Sequence, residues 1–327
     1  ITINEEHKQV YLFDVRVPLL YSNLYSMFEP NKTYGKTYAK KYLEQYGLLI
    51  FTFLLLLAVI SLFYLDWQNS HPKLTFAMLD IGQGDALFIE SPTGTQILID
   101  GGPPRKILSQ LARVMSPFDK SIDAIIITNP DTDHIGGFAE ILKNYKVGRV
   151  FEPGTLNDSK TFQNLKNEIG RQDIPAILAK KGMRLDIGGG AVIDILFPDR
   201  DVSTWPSNDG SVVAKLSYGK TAVMLVGDAT MLTEKIILGE FSKAALASTI
   251  LKVGHHGSRT STSYEFVKGI SPTYAFISDG KNNKYGHPHQ DTLNTLTQFG
   301  AKIFRTDLLG TIIMKSDGEN IKFSFSK

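Results

Sequence analysis

Thr128-Asn129-Pro130-Asp131-Thr132-Asp133-His134-Ile135-Gly136-Gly137 is the stretch that decides how this chain is read. Within it, Asn129 to His134 packs two carboxylates, an amide and an imidazole into six residues. The mostly apolar run Ile122 to Ile127 before it reads as a buried strand, and Gly136-Gly137 leads into a helix-like stretch, Phe138 to Lys143. Charged groups gathered at a strand end lose solvation unless something compensates them, and a divalent metal does so most directly. The competing reading is a solvated Asp-rich turn with a helix cap, since Asp and Asn favour both.

The histidines favour the metal. Of seven in the chain, every one beyond Leu74 falls in one of three clusters: His134, the run Lys252-Val253-Gly254-His255-His256-Gly257-Ser258, and Tyr285-Gly286-His287-Pro288-His289. A fourth short motif, Val226-Gly227-Asp228-Ala229, ends an apolar strand on a lone carboxylate. A single His after a strand is more often a satisfied polar residue than a ligand. Four such strand ends in one chain are hard to ascribe to chance.

Composition bounds the rest. The chain has 327 residues, a formal net charge of +2 and no cysteine, so neither a disulfide framework nor a thiolate metal site is available. Residues 1–46 hold six basic and five acidic residues, and Asp66 and Lys73 cancel; residues 74–327 then carry 28 Lys and Arg against 27 Asp and Glu. That balance lacks the basic footprint of a strong duplex-DNA binder. Residues 74–327 are long enough for one large α/β domain with a substantial core.

The N-terminal part differs in kind. Gly47 to Leu65 is free of charge; at about 1.5 Å per residue it spans roughly 28 Å, close to a hydrocarbon core of about 30 Å. A buried helix or a signal-peptide core is the competing reading, but the run is long for the latter and no small-x-small cleavage site follows. We expect an uncleaved transmembrane helix at 47–65, a linker at 66–73, and an N-terminal segment 1–46 of no assignable role, with strand-like composition at Gln9 to Tyr21. Lys32, Lys36, Lys40 and Lys41 precede the helix, whereas Asp66 and only Lys73 follow it; this bias predicts a cytoplasmic N-terminus and an extracytoplasmic C-terminal domain.

Strands are expected at Leu74–Leu79, Ala86–Glu90, Gln96–Asp100, Ile122–Thr128, Ala191–Leu196, Val212–Tyr218, Thr221–Gly227, Ile250–Val253, Tyr274–Ser278, Lys302–Arg305, Thr311–Lys315 and Ile321–Phe325. Helices are expected at Arg105–Met115, Phe138–Lys143, Lys160–Arg171, Met231–Leu238, Tyr264–Lys268 and Asp291–Phe299.

The motifs together resemble the metallo-β-lactamase-fold hydrolases, and within them the C-terminal domain of ComEC-type competence proteins and its short stand-alone relatives. Six ordered segments carry the resemblance: Leu79-Asp80-Ile81-Gly82-Gln83-Gly84-Asp85, Ile99-Asp100-Gly101-Gly102, Asn129 to Gly137, Gly227-Asp228, His255-His256-Gly257-Ser258 and Tyr285 to His289. It implies an αββα sandwich of the α+β class, with one or two divalent metals at the sandwich edge and no nucleotide cofactor. By resemblance, Asn129 and Asp131 serve one metal site, Asp133 and His134 the other, Asp228 bridges them, and a last His completes the second site. His287 is expected there, with His255 or His256 as the alternative ligand. Otherwise His255 and His256 hold substrate or protonate the leaving group, and Asp133 orients the nucleophile. Asp80, Asp85 and Asp100 are expected to brace the metal loop. Lys252, Ser258, Arg259 and Lys284, with Lys281 nearby, are candidates for holding phosphates; for the cations, ordinary surface charge is the competing reading.

The departures bear on the metal. Asn129 stands where an imidazole is usual, and no His occurs from Ile135 to Gly254, so the family's third-motif His is missing; Asn208-Asp209 lies near its place. An oxygen-rich first site favours Mn or Mg over Zn, and the second site is expected to fill first. The resemblance implies a metal-dependent phosphodiesterase or nuclease acting on single-stranded DNA during DNA uptake, working alone or with a separate channel protein. Two other readings stand beside it: a hydrolase of a small ester, amide or phosphorylated envelope molecule, and a binding module with little catalysis.

Overall fold

The computed structural model describes residues 33–70 and 73–327. The chain divides into two units, 1–70 and 71–327. In the first, one helix, α1, runs from Thr33 to Ser70, and its stretch Glu44–Tyr64 is long and apolar enough to cross a membrane. Leu48, Phe51, Leu54, Leu62 and Phe63 are all exposed, so between residues 48 and 63 the helix turns apolar side chains to its surroundings. The helix extends beyond the expected 47–65 and absorbs most of the expected linker. Asp66 to Ser70 contains neither Gly nor Pro, and the first breaker is Pro72, which disfavours helix at the residue before it. The strand-like stretch Gln9 to Tyr21, Lys32, His71 and Pro72 lie outside the described residues.

The second unit is a two-sheet sandwich. One sheet has eight strands in the order β17-β16-β1-β2-β3-β5-β7-β8. These are β1 (Leu74–Met78), β2 (Leu87–Glu90), β3 (Gln96–Ile99), β5 (Ala124–Ile126), β7 (Val150–Glu152), β8 (Ala176–Leu178), β16 (Ile312–Ser316) and β17 (Ile321–Phe325). The other has seven, in the order β15-β14-β13-β12-β11-β10-β9. They are β9 (Arg184–Gly188), β10 (Ala191–Phe197), β11 (Val213–Tyr218), β12 (Thr221–Leu225), β13 (Ile250–Lys252), β14 (Tyr274–Ile277) and β15 (Lys302–Arg305). A two-strand pair, β4 (Ser121–Ile122) with β6 (Lys146–Val147), stands apart.

Period-2 alternation sorts each strand between two cores. Leu74, Phe76 and Met78 of β1 meet Val223 and Leu225 of β12 between the sheets. From the opposite pleats, Ala77 packs outward against a layer of helices and Met224 against another. One outer layer holds α2 (Ile107–Leu111), α4 (Phe138–Asn144) and α5 (Lys160–Arg171). The other holds α6 (Met231–Glu240), α7 (Lys243–Leu246), α8 (Tyr264–Ile270) and α9 (Gln290–Gln298). Helix α5 shows the local logic. Ser159 caps it by accepting the Phe162 N–H at 3.2 Å, and Leu165 and Ile169, one turn apart, bury the inner face.

The expected αββα sandwich is thus the observed one. β3, β5, β7 and β8 run parallel in one sheet, and β12 to β15 run parallel in the other. The loops after β5, β12, β13 and β14 carry the metal-type motifs. In sheets of this kind the crevice beyond the carboxyl ends of parallel strands is where ligands sit.

Candidate metal centre

Asp133 and His134 lie on α3 (Thr132–Ile135), the single turn that follows β5. Asp228 follows β12, and His256 lies in the 3-10 turn Gly254–Gly257 after β13. His255 and His256 both have left-handed backbone, at φ 47° and 55°. Two such non-glycine residues in succession are costly, and the turn is tied down by His255 N–H to the Gly227 carbonyl (3.2 Å) and His289 N–H to the Gly257 carbonyl (2.9 Å). The result splays the two rings at 71°, with His256 buried and His255 half-buried.

One carboxylate oxygen is the focus. Asp228 Oδ2 lies 3.1 Å from His134 Nε2, 3.6 Å from His256 Nε2 and 3.7 Å from His255 Nε2. Asp133 Oδ2 is 3.6 Å from His256 Nε2. Each inner imidazole is anchored by its other nitrogen. His134 Nδ1 is 2.8 Å from Asp100 Oδ2, and His256 Nδ1 is 2.9 Å from the Ser278 carbonyl. A carbonyl accepts and cannot donate, and an ionised carboxylate is the same, so the Nδ1 atoms carry the protons and Nε2 faces the centre. Both Nε2 atoms and Asp228 Oδ1 are buried without a hydrogen-bond partner. Ligating histidines are held in this way by a carboxylate or carbonyl behind them. Asp133, His134 and His256 bring donor atoms within 4.8 Å of one another; so do Asp85, Asp228 and His256, and Asp85, Asp100 and His134. These buried His and Asp groups are a donor set suited to a divalent metal.

Without such an ion, protons carry the balancing charge. Burial opposes a charge on His134, yet Asp228 and Asp100 outweigh it and hold the imidazolium well above its usual range. Burial likewise opposes His256, and Asp228 and Asp85 push it up. Burial alone would raise the Asp228 carboxyl, but His134 and His256 hold it well below the ordinary value. His287 is different: burial, with His256, His255 and His289 around it, pushes it down to about 4, so it is neutral at neutral pH.

Several expectations change. His256, not His287, sits among the carboxylates. His287 lies one ring further out, with its centroid 6.3 Å from that of His256 and 5.6 Å from that of His255, and joins no such donor group among the described residues. Asn129 is fully buried, and its amide oxygen accepts the Asp131 N–H at 2.9 Å, while Asp131 faces Asn157 Nδ2 at 3.5 Å. Asp209 accepts the Thr230 hydroxyl at the cap of α6. Lys252 is no phosphate holder: it is wholly buried, ion-paired with Asp85 and bonded to the Gly227 carbonyl at 2.8 Å. Ser258 turns into its own loop, 3.0 Å from the Thr260 hydroxyl. Arg259 is exposed and pairs with Asp291 at 3.2 Å. Asp80 pairs with Lys327 at 2.9 Å and joins no donor group of the centre among the described residues.

Other expected residues fall beside the centre. Asp100 accepts from Thr128 N–H (2.8 Å) and Thr128 Oγ1 (2.6 Å) as well as facing His134, and Asp85 N–H reaches the Asp133 carbonyl at 3.3 Å. Lys284 is exposed and lies 5.0 Å from the centroid of the Tyr285 ring, which in turn stacks on His287. Thr128, Ser278 and Gly84 fall in stretches the sequence singles out, but their supporting roles come from the structure. Gly84 sits at φ 120°, where an added Cβ would run into the Asp133 carbonyl; its glycine-rich setting, Gly82-Gln83-Gly84, was the available signal.

The profile of the metallo-beta-lactamase superfamily matches residues 79–278. The chain belongs to that superfamily. Its fold is usually that of metal-dependent hydrolases. ComE operon protein 3 of Bacillus subtilis is similar at 35% identity over 254 residues, covering 72% of this chain and 32% of that protein. Recombination protein 2 of Haemophilus influenzae is similar at 29%, covering 75% and 29%, and competence protein ComA of Neisseria gonorrhoeae at 26%, covering 71% and 31%. The chain therefore spans about a third of the length of these curated relatives. Among solved structures, the metallo-beta-lactamase fold protein YhfI from Bacillus subtilis superposes with a TM-score of 0.49 at 13% identity, covering 74% of this chain and 100% of that one.

Proposed function

We propose that this chain is a membrane-anchored, metal-dependent hydrolase that cleaves phosphodiesters of extracytoplasmic DNA, single strands first among them. The observation that carries the reading is that His134 and His256 both meet Asp228, with Asp133 beside His256, while both inner Nε2 atoms are buried without a hydrogen-bond partner. Asp133, His134, Asp228 and His256 would hold the ion, and their two imidazoles and two carboxylates suit Mn or Zn better than Mg. When bound, such an ion activates water as a nucleophile and neutralises charge on the attacked phosphate.

The remaining residues divide the work. Asp133, with about a third of its side chain exposed, would orient the nucleophile. Asp100 and the Ser278 carbonyl fix the two inner rings. His255 and His287 form the outer wall and face the leaving group, with Lys284 and Tyr285 beside them to meet phosphate and base. The competence proteins among the relatives support a place in DNA uptake. Glu44–Tyr64 is the anchor, with the domain outside by the lysine bias.

The test is degradation of labelled single-stranded DNA by the detergent-solubilised chain with Mn. Asp133→Ala should abolish it while the fold persists. Absence of cleavage of any phosphodiester with Mn, Zn or Mg refutes the reading. The near-neutral charge of residues 74–327 favours a second reading, a small phosphoester or ester as substrate; turnover of chromogenic esters with intact DNA would decide for it.

A further inference from the structure

Superfamily centres that take two ions need a full set of donors for each, because dications about 3.5–4 Å apart repel strongly unless both are neutralised. On the Asp133 side, Asp133, His134 and His256 bring donor atoms within 4.8 Å of one another, and Asp228 meets both rings. The Asn129 side offers less charge. Asn129 is neutral, fully buried, and already gives its amide oxygen to the Asp131 N–H. Asp131 is engaged by Asn157 Nδ2 and by the Ser207 hydroxyl. The loop that would supply a third donor offers Asp209, which accepts the Thr230 hydroxyl, and Asn208, a neutral amide whose oxygen is buried without a hydrogen-bond partner. A cation there would own a single carboxylate. Asp228 adds only a charge it already shares: its Oδ2 faces the two inner imidazoles, and its Oδ1, though without a hydrogen-bond partner, lies 3.9 Å from the Lys252 ammonium.

We propose that the chain binds one divalent ion and not two, the ground beside Asn129 and Asp131 offering one carboxylate and neutral amides where a second dication needs more charge. This rests on the reading of Asp133, His134, Asp228 and His256 as ligands. The nucleophile is then positioned from one side by the ion and from the other by protein groups, with no second ion to share it.

The experiment loads the metal-stripped full chain with Mn and, separately, with Zn. Bound metal per chain is measured after excess is removed, and the Mn form is examined by electron paramagnetic resonance. One ion per chain is expected, with the spectrum of an isolated Mn. Asn129→Ala and Asp131→Ala should keep that ion with affinity changed less than the roughly 10-fold that losing a supporting residue costs. His256→Gln and Asp133→Asn should lose it while retaining a cooperative melt. Two ions per chain, an exchange-coupled Mn pair, or loss of the ion in Asp131→Ala overturns the proposal and leaves the hydrolase reading standing. No ion at all overturns both.

Discussion

Lys252→Met tests the least expected contact in the centre. Lys252 and Asp85 have 0% and 1% of their side chains exposed, and the ammonium also donates to the Gly227 carbonyl at 2.8 Å. Methionine fills nearly the same volume, so the cavity cost is small and the effect is electrostatic. Removing one partner of a buried pair costs about 3–5 kcal/mol, because the remaining charge keeps its desolvation penalty. For a domain of this size each kcal/mol lowers the melting temperature by roughly 2–4 °C, so a fall of about 6–20 °C is expected. Asp85→Asn alone strands the ammonium and should cost a similar amount. The double variant removes both charges, and the singles should exceed it by at least about 2 kcal/mol in a double-mutant cycle. The assay is thermal unfolding followed by near-ultraviolet circular dichroism, which reports the packing around Phe197 and Trp205 rather than helix content. A loss below about 1 kcal/mol in Lys252→Met would refute the reasoning, since no ordinary buried ion pair breaks so cheaply.

Asp100→Asn puts an amide N–H₂ against the Thr128 donors or His134 Nδ1 and removes the charge behind the ring; Mn affinity by titration calorimetry should fall about 10–100-fold, and an unchanged Kd contradicts the role. Asp279 lies against Asp307 and Arg305, and burial followed by Asp307 pushes its carboxyl up to about 7. The folded chain thus keeps this proton to about pH 7 while the unfolded chain releases it near pH ~4. Its contribution to stability is complete below about pH 4 and is lost as the pH rises through about 7. Melting temperature measured against pH should decline across that window, and Asp279→Asn should flatten the decline; equal slopes in both proteins would exclude the assignment.

The two kinds of information in the chain differ in how far they reach. Alternating apolar strands such as Val213–Tyr218 and Thr221–Leu225, joined at Gly219, announce themselves because burial of one face demands that period. β7, β8 and β9 did not: two are three residues long, and Arg184-Leu185-Asp186-Ile187-Gly188 is a charged strand at the sheet edge. The single turn α3 was hidden because four residues show no periodicity. In the site, chemistry types were legible and geometry was not. The motif cluster pointed to Asp133, His134 and Asp228, but His256 and His287 are the same residue type after successive strands. Only the paired left-handed turn at His255 and His256 decides which ring faces in. Lys252 looked like a surface cation because nothing local shows that Asp85, far along the chain, waits to pair with it.

Asp133 and His134 hang from one sheet, and Asp228 and His256 from the other. An ion gripped by all four acts as a clasp across the open end of the sandwich, and only a folded chain can offer the grip. Its affinity therefore reappears as resistance to unfolding, about 2.7 kcal/mol when the free ion stands a hundredfold above its Kd. Ion supply would then govern how long the chain withstands proteases as well as whether it turns over substrate.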